Sequence, residues 1–231
     1  MKNLALIATF LAFFTANVFA QDGGGEGLRI GLQLSPTFSF INSDDNTINN
    51  NGTNLGLKLQ VMSETYFQEN YAFTLGFGFA FNHGGTLQYD EGGALWRNTL
   101  GEEAETFPAG VDLKYEVQYV EVPVGLKLRT REFGYIKYFA EPNLIFGFKT
   151  KARGTAKGNE DLENLNIAED VNSLAASWGI GGGIEYSISD ATSIISGLYF
   201  QRLFTDITDD GGGDASKGSM SAITIRLGVL F

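Results

Sequence analysis

The stretch "YAFTLGFGFAFN", residues 71–82, decides the fold. Tyr71, Phe73, Leu75, Phe77, Phe79 and Phe81 alternate with Ala72, Thr74, Gly76, Gly78, Ala80 and Asn82. In an extended strand, alternate side chains point to opposite faces. One face therefore carries six large apolar residues, and the other carries small or polar ones. Such a strand needs a solvent for its aromatic side and tolerates something wettable behind it.

The same period recurs along the chain. Leu28, Ile30, Leu32, Leu34, Phe38 and Phe40 lie opposite Arg29, Gly31, Gln33, Ser35, Thr37 and Ser39. Leu55, Leu57, Leu59 and Val61 lie opposite Asn54, Gly56, Lys58 and Gln60. Val120, Val122, Val124, Leu126 and Leu128 lie opposite Glu121, Pro123, Gly125, Lys127 and Arg129. Segments 138–149, 174–186 and 223–231 repeat the pattern. Period-2 alternation of this length predicts strands, at 28–41, 54–63, 70–82, 112–130, 135–151, 173–188, 192–205 and 219–231. In 192–205 both faces are partly apolar, so the outward set stays open. In 112–119 the apolar residues are Leu113, Tyr115, Val117 and Tyr119, and the apolar face switches at Val120. Either a bulge or a strand leaving the membrane there produces such a switch.

The connections alternate in length. Those at 64–69, 131–134 and 189–191 are short; those at 42–53, 83–111, 152–172 and 206–218 are long and acidic. Antiparallel strands joined in this way put every long loop at one end, the layout of outer-membrane barrels with short periplasmic turns. Of the chain's net charge of −11, the long connections hold 16 acidic and 4 basic residues, so strands and turns balance near zero. Charges enclosed in a narrow barrel must pair or bear desolvation. Glycine (30) and phenylalanine (19) are abundant and proline (4) is scarce, as strands and interfacial aromatics require. Mean hydropathy is near zero, so apolar residues are hidden by alternation rather than massed in helices. A soluble barrel would turn its apolar face inward. Here the faces opposite carry Arg, Lys, Glu and Gly on strands of about ten residues or more, the length of a tilted membrane span. The expected fold is therefore all-β: an eight-stranded antiparallel up-and-down transmembrane β-barrel, with lipid as the solvent for the aromatic face.

Lys2, the apolar run "LALIATFLAFF" and the small residues up to Ala20 read as a signal peptide over 1–20, leaving 21–231 as the barrel domain. Cysteine is absent, which excludes disulfides, thiolate metal sites and a lipid-modified cysteine anchor.

At "YVEVPVGLKLR" (119–129) and "YFAEPNLIFGFK" (138–149) the chain resembles the PorT-like outer-membrane β-barrel family of Bacteroidota. The shared features are Tyr119, Glu121 and Pro123 on one strand and an aromatic last strand ending at Phe231. The resemblance implies an eight-stranded barrel inserted by the outer-membrane assembly machinery, which reads that last strand. One branch of the family is implicated in secretion through the outer membrane.

Arg29, Lys58, Glu121, Lys127, Arg129, Lys137, Glu141, Lys149, Glu185 and Arg226 fall on inward faces. An eight-stranded barrel is just wide enough for side chains to fill it, so these residues read as a lumen charge network, with Glu121 and Glu141 pairing with Arg129, Lys137 or Arg226. The rival reading is a polar conduit. His83 lies at the end of the third strand and reads as a rim residue. A triad needs a nucleophile and an orienting group; "FNHGGT" supplies no obvious nucleophile beside His83 and the sequence identifies no partner elsewhere, so no catalytic residue and no cofactor are assigned. "DITDDGGGD" (206–214) resembles half of a calcium loop through Asp206, Thr208 and Asp210 before Gly211, with Asp206, Asp209, Asp210 and Asp214 as the candidate ion contacts. Its twelfth position is Lys217 rather than Glu, and its flanks are strands, so a solvated hairpin tip is favoured over a metal site. Acidic loops repel nucleic acid. The expected role is non-enzymatic, structural or interactive, accessory to envelope assembly or secretion, with the alternative of a narrow pore. The expected partners are outer-membrane lipid, the assembly machinery and an envelope protein at the acidic loops. Both termini are expected in the periplasm.

Overall fold

The computed structural model describes residues 27–101, 106–158, 162–208 and 217–231. The expected signal peptide, residues 1–20, lies outside them. Eight long strands close a ring: β1 (Leu28–Ser43), β2 (Ile48–Gln68), β3 (Tyr71–Tyr89), β6 (Val111–Arg129), β7 (Ile136–Lys157), β9 (Leu174–Ser187), β10 (Ser193–Leu203) and β11 (Gly218–Leu230). Each pairs antiparallel with its neighbours, in the order β6-β3-β2-β1-β11-β10-β9-β7, and β6–β7 pairing completes the circle. The closing seam between the first and last strands runs from Gly31 opposite Leu230 to Ser43 opposite Gly218. Between β3 and β6 lie a two-stranded ribbon, β4 (Gly93–Ala94) with β5 (Thr106–Phe107), and a single helical turn, α1 (Arg97–Leu100). β8 (Leu162–Asn166) folds back along β7.

All eight expected ring strands are present, but several run further than their apolar alternation. β2 begins at Ile48, so the connection expected over 42–53 shrinks to the four residues 44–47. β3 continues to Tyr89 and β7 to Lys157. The extra residues stand beyond the apolar belt, on the end where the long connections gather.

The barrel has two storeys with opposite polarity. In the lower storey the large apolar side chains face outward; Phe73, Leu55 and Leu198 are each about 60 % exposed. Most of the long inward side chains there are polar or charged, including buried Lys127, Glu141 and Arg226, with Met62, Phe139, Ile145 and Ile195 packed among them. A water-soluble protein does not present a continuous apolar band of this size. A lipid-facing barrel must. In the upper storey the polarity inverts. Ile41, Leu87, Leu113, Tyr115, Val117, Ala152, Leu203 and Met220 point inward and pack with Trp96, Phe107, Ile167 and Ile207 from the connections into an apolar core.

This inversion explains β6. Its odd-numbered residues face inward along the whole strand, from Val111 through Tyr119 and Glu121 to Arg129. The strand does not flip at Val120. What changes is the surroundings, so the alternative of a strand leaving the apolar belt holds and a bulge in β6 does not. The bulges lie in its neighbours, both at the level of Tyr119. β3 gains a residue between Ala80 and His83, and β7 gains one opposite Gln118–Tyr119. Asn82 at the first of these takes a left-handed backbone (φ 56°), a conformation Asn tolerates better than most residues.

β10 resolves the open orientation: Ile194 and Leu198 face outward, Ile195, Tyr199 and Gln201 inward. Pro123 stands inside a central strand, where proline removes a ladder hydrogen bond. The β3–β6 register has no pair at that point, between Leu75–Val124 and Gly78–Glu121. Gly76 lies opposite, and a Cβ there would come within 2.7 Å of the proline ring.

Candidate functional site: a filled, charged barrel interior

Three ion-paired clusters are stacked along the lower storey. At the turn end, Lys127 Nζ donates to Glu64 Oε1 (2.7 Å) and Glu185 Oε2 (2.9 Å). Arg29 also pairs with Glu185 and donates from Nη2 to Ser193 Oγ at 2.9 Å. Tyr66 OH donates to Glu64 Oε2 at 2.7 Å. Arg129 donates to the Glu69 carbonyl from Nε and Nη2 (3.1 and 2.9 Å), stacks 4.0 Å from the Tyr66 ring and approaches Glu185 to 4.0 Å. In the middle cluster, Arg226 Nη1 donates to Glu141 Oε2 (2.6 Å) and to Tyr199 OH (3.0 Å), and Nε donates to Gln33 Oε1 (2.9 Å). Thr74 Oγ1 donates to the other Glu141 oxygen at 3.1 Å. In the third cluster, Lys58 Nζ donates to both Glu121 oxygens (3.0 and 2.8 Å) and to Gln201 Oε1 (2.6 Å). Gln201 Nε2 in turn donates to Ser177 Oγ at 2.8 Å.

Every buried carboxylate in this stack meets a cation and further donors. That is the condition under which buried charge is tolerated. The geometry also fills the cross-section, because long side chains reach across the ring from facing strands. Between the middle and third clusters remains a cavity of about 40 Å³, and at the turn end a hollow of about 550 Å³ opens beside Arg29, Lys137 and Phe231.

The pairings among these inward charges differ from those expected. Glu141 does meet Arg226. Glu121 meets Lys58 rather than Arg129, Lys137 or Arg226, because the register across β3 sets Gln60 of β2 opposite Glu121 and Lys58 is the next inward residue along β2. Lys137 sits at the mouth, 3.2 Å from Glu132. Lys149 is not part of the charged stack; its ammonium donates to the carbonyls of Ala168 and Val171. Glu64 and Tyr66 were missed because the alternation of large apolar residues in β2 stops at Val61. The inward even-numbered series 54, 56, 58, 60, 62, 64 continues past it and is the signal that finds Glu64. Tyr199 and Gln201 were hidden by the ambiguous face of β10.

His83 is not a rim residue. It is fully buried inside β3 at the storey boundary, edge-on to Tyr119 with ring centroids 6.4 Å apart. Neither ring nitrogen has a hydrogen-bond partner. Bulge insertion at Asn82 turns it inward, where a continued alternation would have turned it out.

The connections at the upper end are tied together by the segment Ile167–Asn172. Asp170 accepts from the backbone N–H of Asn98 (2.9 Å) and Thr99 (3.1 Å) and from the Thr99 hydroxyl, capping α1 from another connection. Asn172 Nδ2 donates to the carbonyls of Asp206 (3.1 Å) and Thr208 (2.7 Å). Lys149 holds the same segment from below. At the β1–β2 tip, the Thr47 N–H and hydroxyl both donate to Asp45 Oδ1 at 2.8 Å, holding that carboxyl below its usual pKa.

Of the calcium-loop residues, Asp206 uses Oδ1 to accept from Thr208 N (3.0 Å), Thr208 Oγ1 (2.9 Å) and Gly218 N (2.9 Å). It is a turn cap. Asp209, Asp210 and Asp214 lie outside the described residues.

Residues 19–209 match the model of the family described as outer membrane protein beta-barrel domain. No curated protein matches the chain. Among solved structures, the chain is similar to neisserial surface protein A (10 % identity, 89 % of this chain and 98 % of that one, TM-score 0.46). It is also similar to a major outer membrane protein of Thermus thermophilus (14 %, 89 % and 99 %, TM-score 0.46) and to OprG of Pseudomonas aeruginosa (11 %, 88 % and 94 %, TM-score 0.42).

Proposed function

The chain belongs to the outer membrane protein beta-barrel domain family, and from that premise we propose that it is a closed, non-conducting outer-membrane barrel acting through its outer surface. The single observation that carries this reading is the doubly blocked interior: a paired charge stack below and an apolar core above. A pore needs a continuous wettable path, and the upper core of Leu113, Val117, Leu203 and Met220 offers none. Function then falls to the outer connections, which are acidic and held in fixed relation by Asp170, Asn172 and Lys149.

On this reading residues 1–20 are a cleaved signal peptide. The short turns and both termini lie in the periplasm, and the long connections lie outside, as in barrels with short periplasmic turns. The assembly machinery takes up β11 and Phe231. An envelope protein docks at the acidic connections, and the role is accessory to envelope assembly or secretion. The PorT-like assignment is supported by what Tyr119, Glu121 and Pro123 do in β6. All three face inward at the storey boundary, where Tyr119 meets His83, Glu121 anchors Lys58, and Pro123 lines the cavity.

Photo-cross-linking tests the reading. A cross-linkable residue is placed at exposed Asn49 or Glu163 and activated in whole cells. A discrete adduct with one envelope protein is expected. Absence of any adduct from both positions, with ohmic conductance from the purified protein, would replace this reading with the narrow pore.

A further inference from the structure

The cavity between the middle and third clusters lies wholly inside the charge stack. Gln33, Lys58, Glu141, Asn143, Tyr199 and Arg226 are among its lining residues, so it touches both clusters. Two of its lining residues carry a buried polar atom with no partner in the protein: Gln33 Nε2, a donor, and Asn143 Oδ1, an acceptor. Gln33 is 3 % exposed. Its amide orientation is fixed, because Oε1 accepts from Arg226 Nε at 2.9 Å, which leaves the NH2 group as the unpartnered donor. Orphaned buried polar atoms are uncommon and costly, and two on one small wall point to an occupant.

We infer that this cavity is a binding site for a small cluster of ordered water. The choice of ligand follows from the wall. The occupant must accept from Gln33 and donate to Asn143. A metal cation cannot accept a hydrogen bond, and a halide cannot donate one. Lys58 and Arg226 are already neutralised by Glu121 and Glu141, so no net charge calls for an ion. Water does both jobs. A buried water needs roughly 10–15 Å³ of such space, and about 40 Å³ holds about three. Such a cluster links Arg226–Glu141 to Lys58–Glu121 and joins these two of the three clusters into one hydrogen-bonded network.

The test is solution NMR on the refolded full chain in detergent micelles. The side-chain amide protons of Gln33 are expected to be slow to exchange and to show cross-relaxation to a long-lived bound water. Asn143→Leu, which fills the cavity and removes the acceptor, is expected to abolish that signal while the boiled and unboiled gel mobilities stay as in the parent. Cross-relaxation from Gln33 to protein protons alone would mean a dry, collapsed cavity and would overturn the inference. A saturable shift of the Gln33 or Asn143 resonances on exchanging chloride for bromide, or sodium for rubidium, would overturn it in favour of an ion.

Discussion

His83 is a polar side chain buried with neither nitrogen satisfied, and an unpaired buried group of this kind costs about 1–3 kcal/mol. His83→Leu should therefore raise stability by about 1 kcal/mol in urea unfolding from micelles; a loss of comparable size would mean that the imidazole has a partner and a role. Arg226 is the opposite case. Its guanidinium serves Glu141, Tyr199 and Gln33 at once. Arg226→Ala leaves Glu141 buried and without its cation, and breaking such a pair costs about 3–5 kcal/mol. The same unfolding titration checks it, and a cost under about 1 kcal/mol would show that Glu141 is neutral or hydrated. At this scale the sequence reveals which charges face inward, since parity alone does that for Arg29, Glu121, Glu185 and Arg226. It does not reveal who pairs with whom. Pairing depends on the stagger between strands, and a one-residue bulge in β3 or β7 shifts every partner above it.

Among the elements, β3 is the most legible, because Tyr71–Phe81 meets lipid along its whole outer face. Phe77 lies near the middle of that run. Phe77→Arg should cost about 2–4 kcal/mol, the range for a cation at the lipid midplane, and the loss should fall toward about 0–1 kcal/mol when the substitution is moved to Tyr71 near the interface. Equal losses at both positions would argue that the face is a protein contact. β6 is less legible, since its apolar residues change sides without any change in the strand. The outer segments of β2, β3 and β7 carry no alternating signal, because they are wetted outside and packed on a core inside. The link through Ile167–Asn172 is invisible in sequence, as its contacts come from three separate parts of the chain. Asp170→Ala removes a helix cap contributed from a distance, a loss of about 1 kcal/mol. It should speed proteolysis of the β3–β6 connection while leaving the membrane-embedded barrel resistant. Unchanged cleavage would show that the apolar packing of Trp96 and Ile167 holds the connection without the cap.

The whole molecule is two barrels in one ring: lipid-facing and charged inside below, water-facing and apolar inside above. Alternation predicts the lower storey and its closure, because lipid demands uniform apolar faces and a barrel without edges. The upper storey follows ordinary soluble-protein packing, and in sequence it looks like connection. A folded, closed ring of this kind should migrate differently on gels before and after boiling. The sealed interior has the sharper consequence. Refolded protein that shows the mobility shift should be inserted into planar lipid bilayers and its current recorded under applied voltage. A lumen filled by paired charges and capped by an apolar core predicts a steady baseline with no single-channel steps. Reproducible ohmic steps from the same preparation would contradict it, and would mean that the charge stack and the core above it open together.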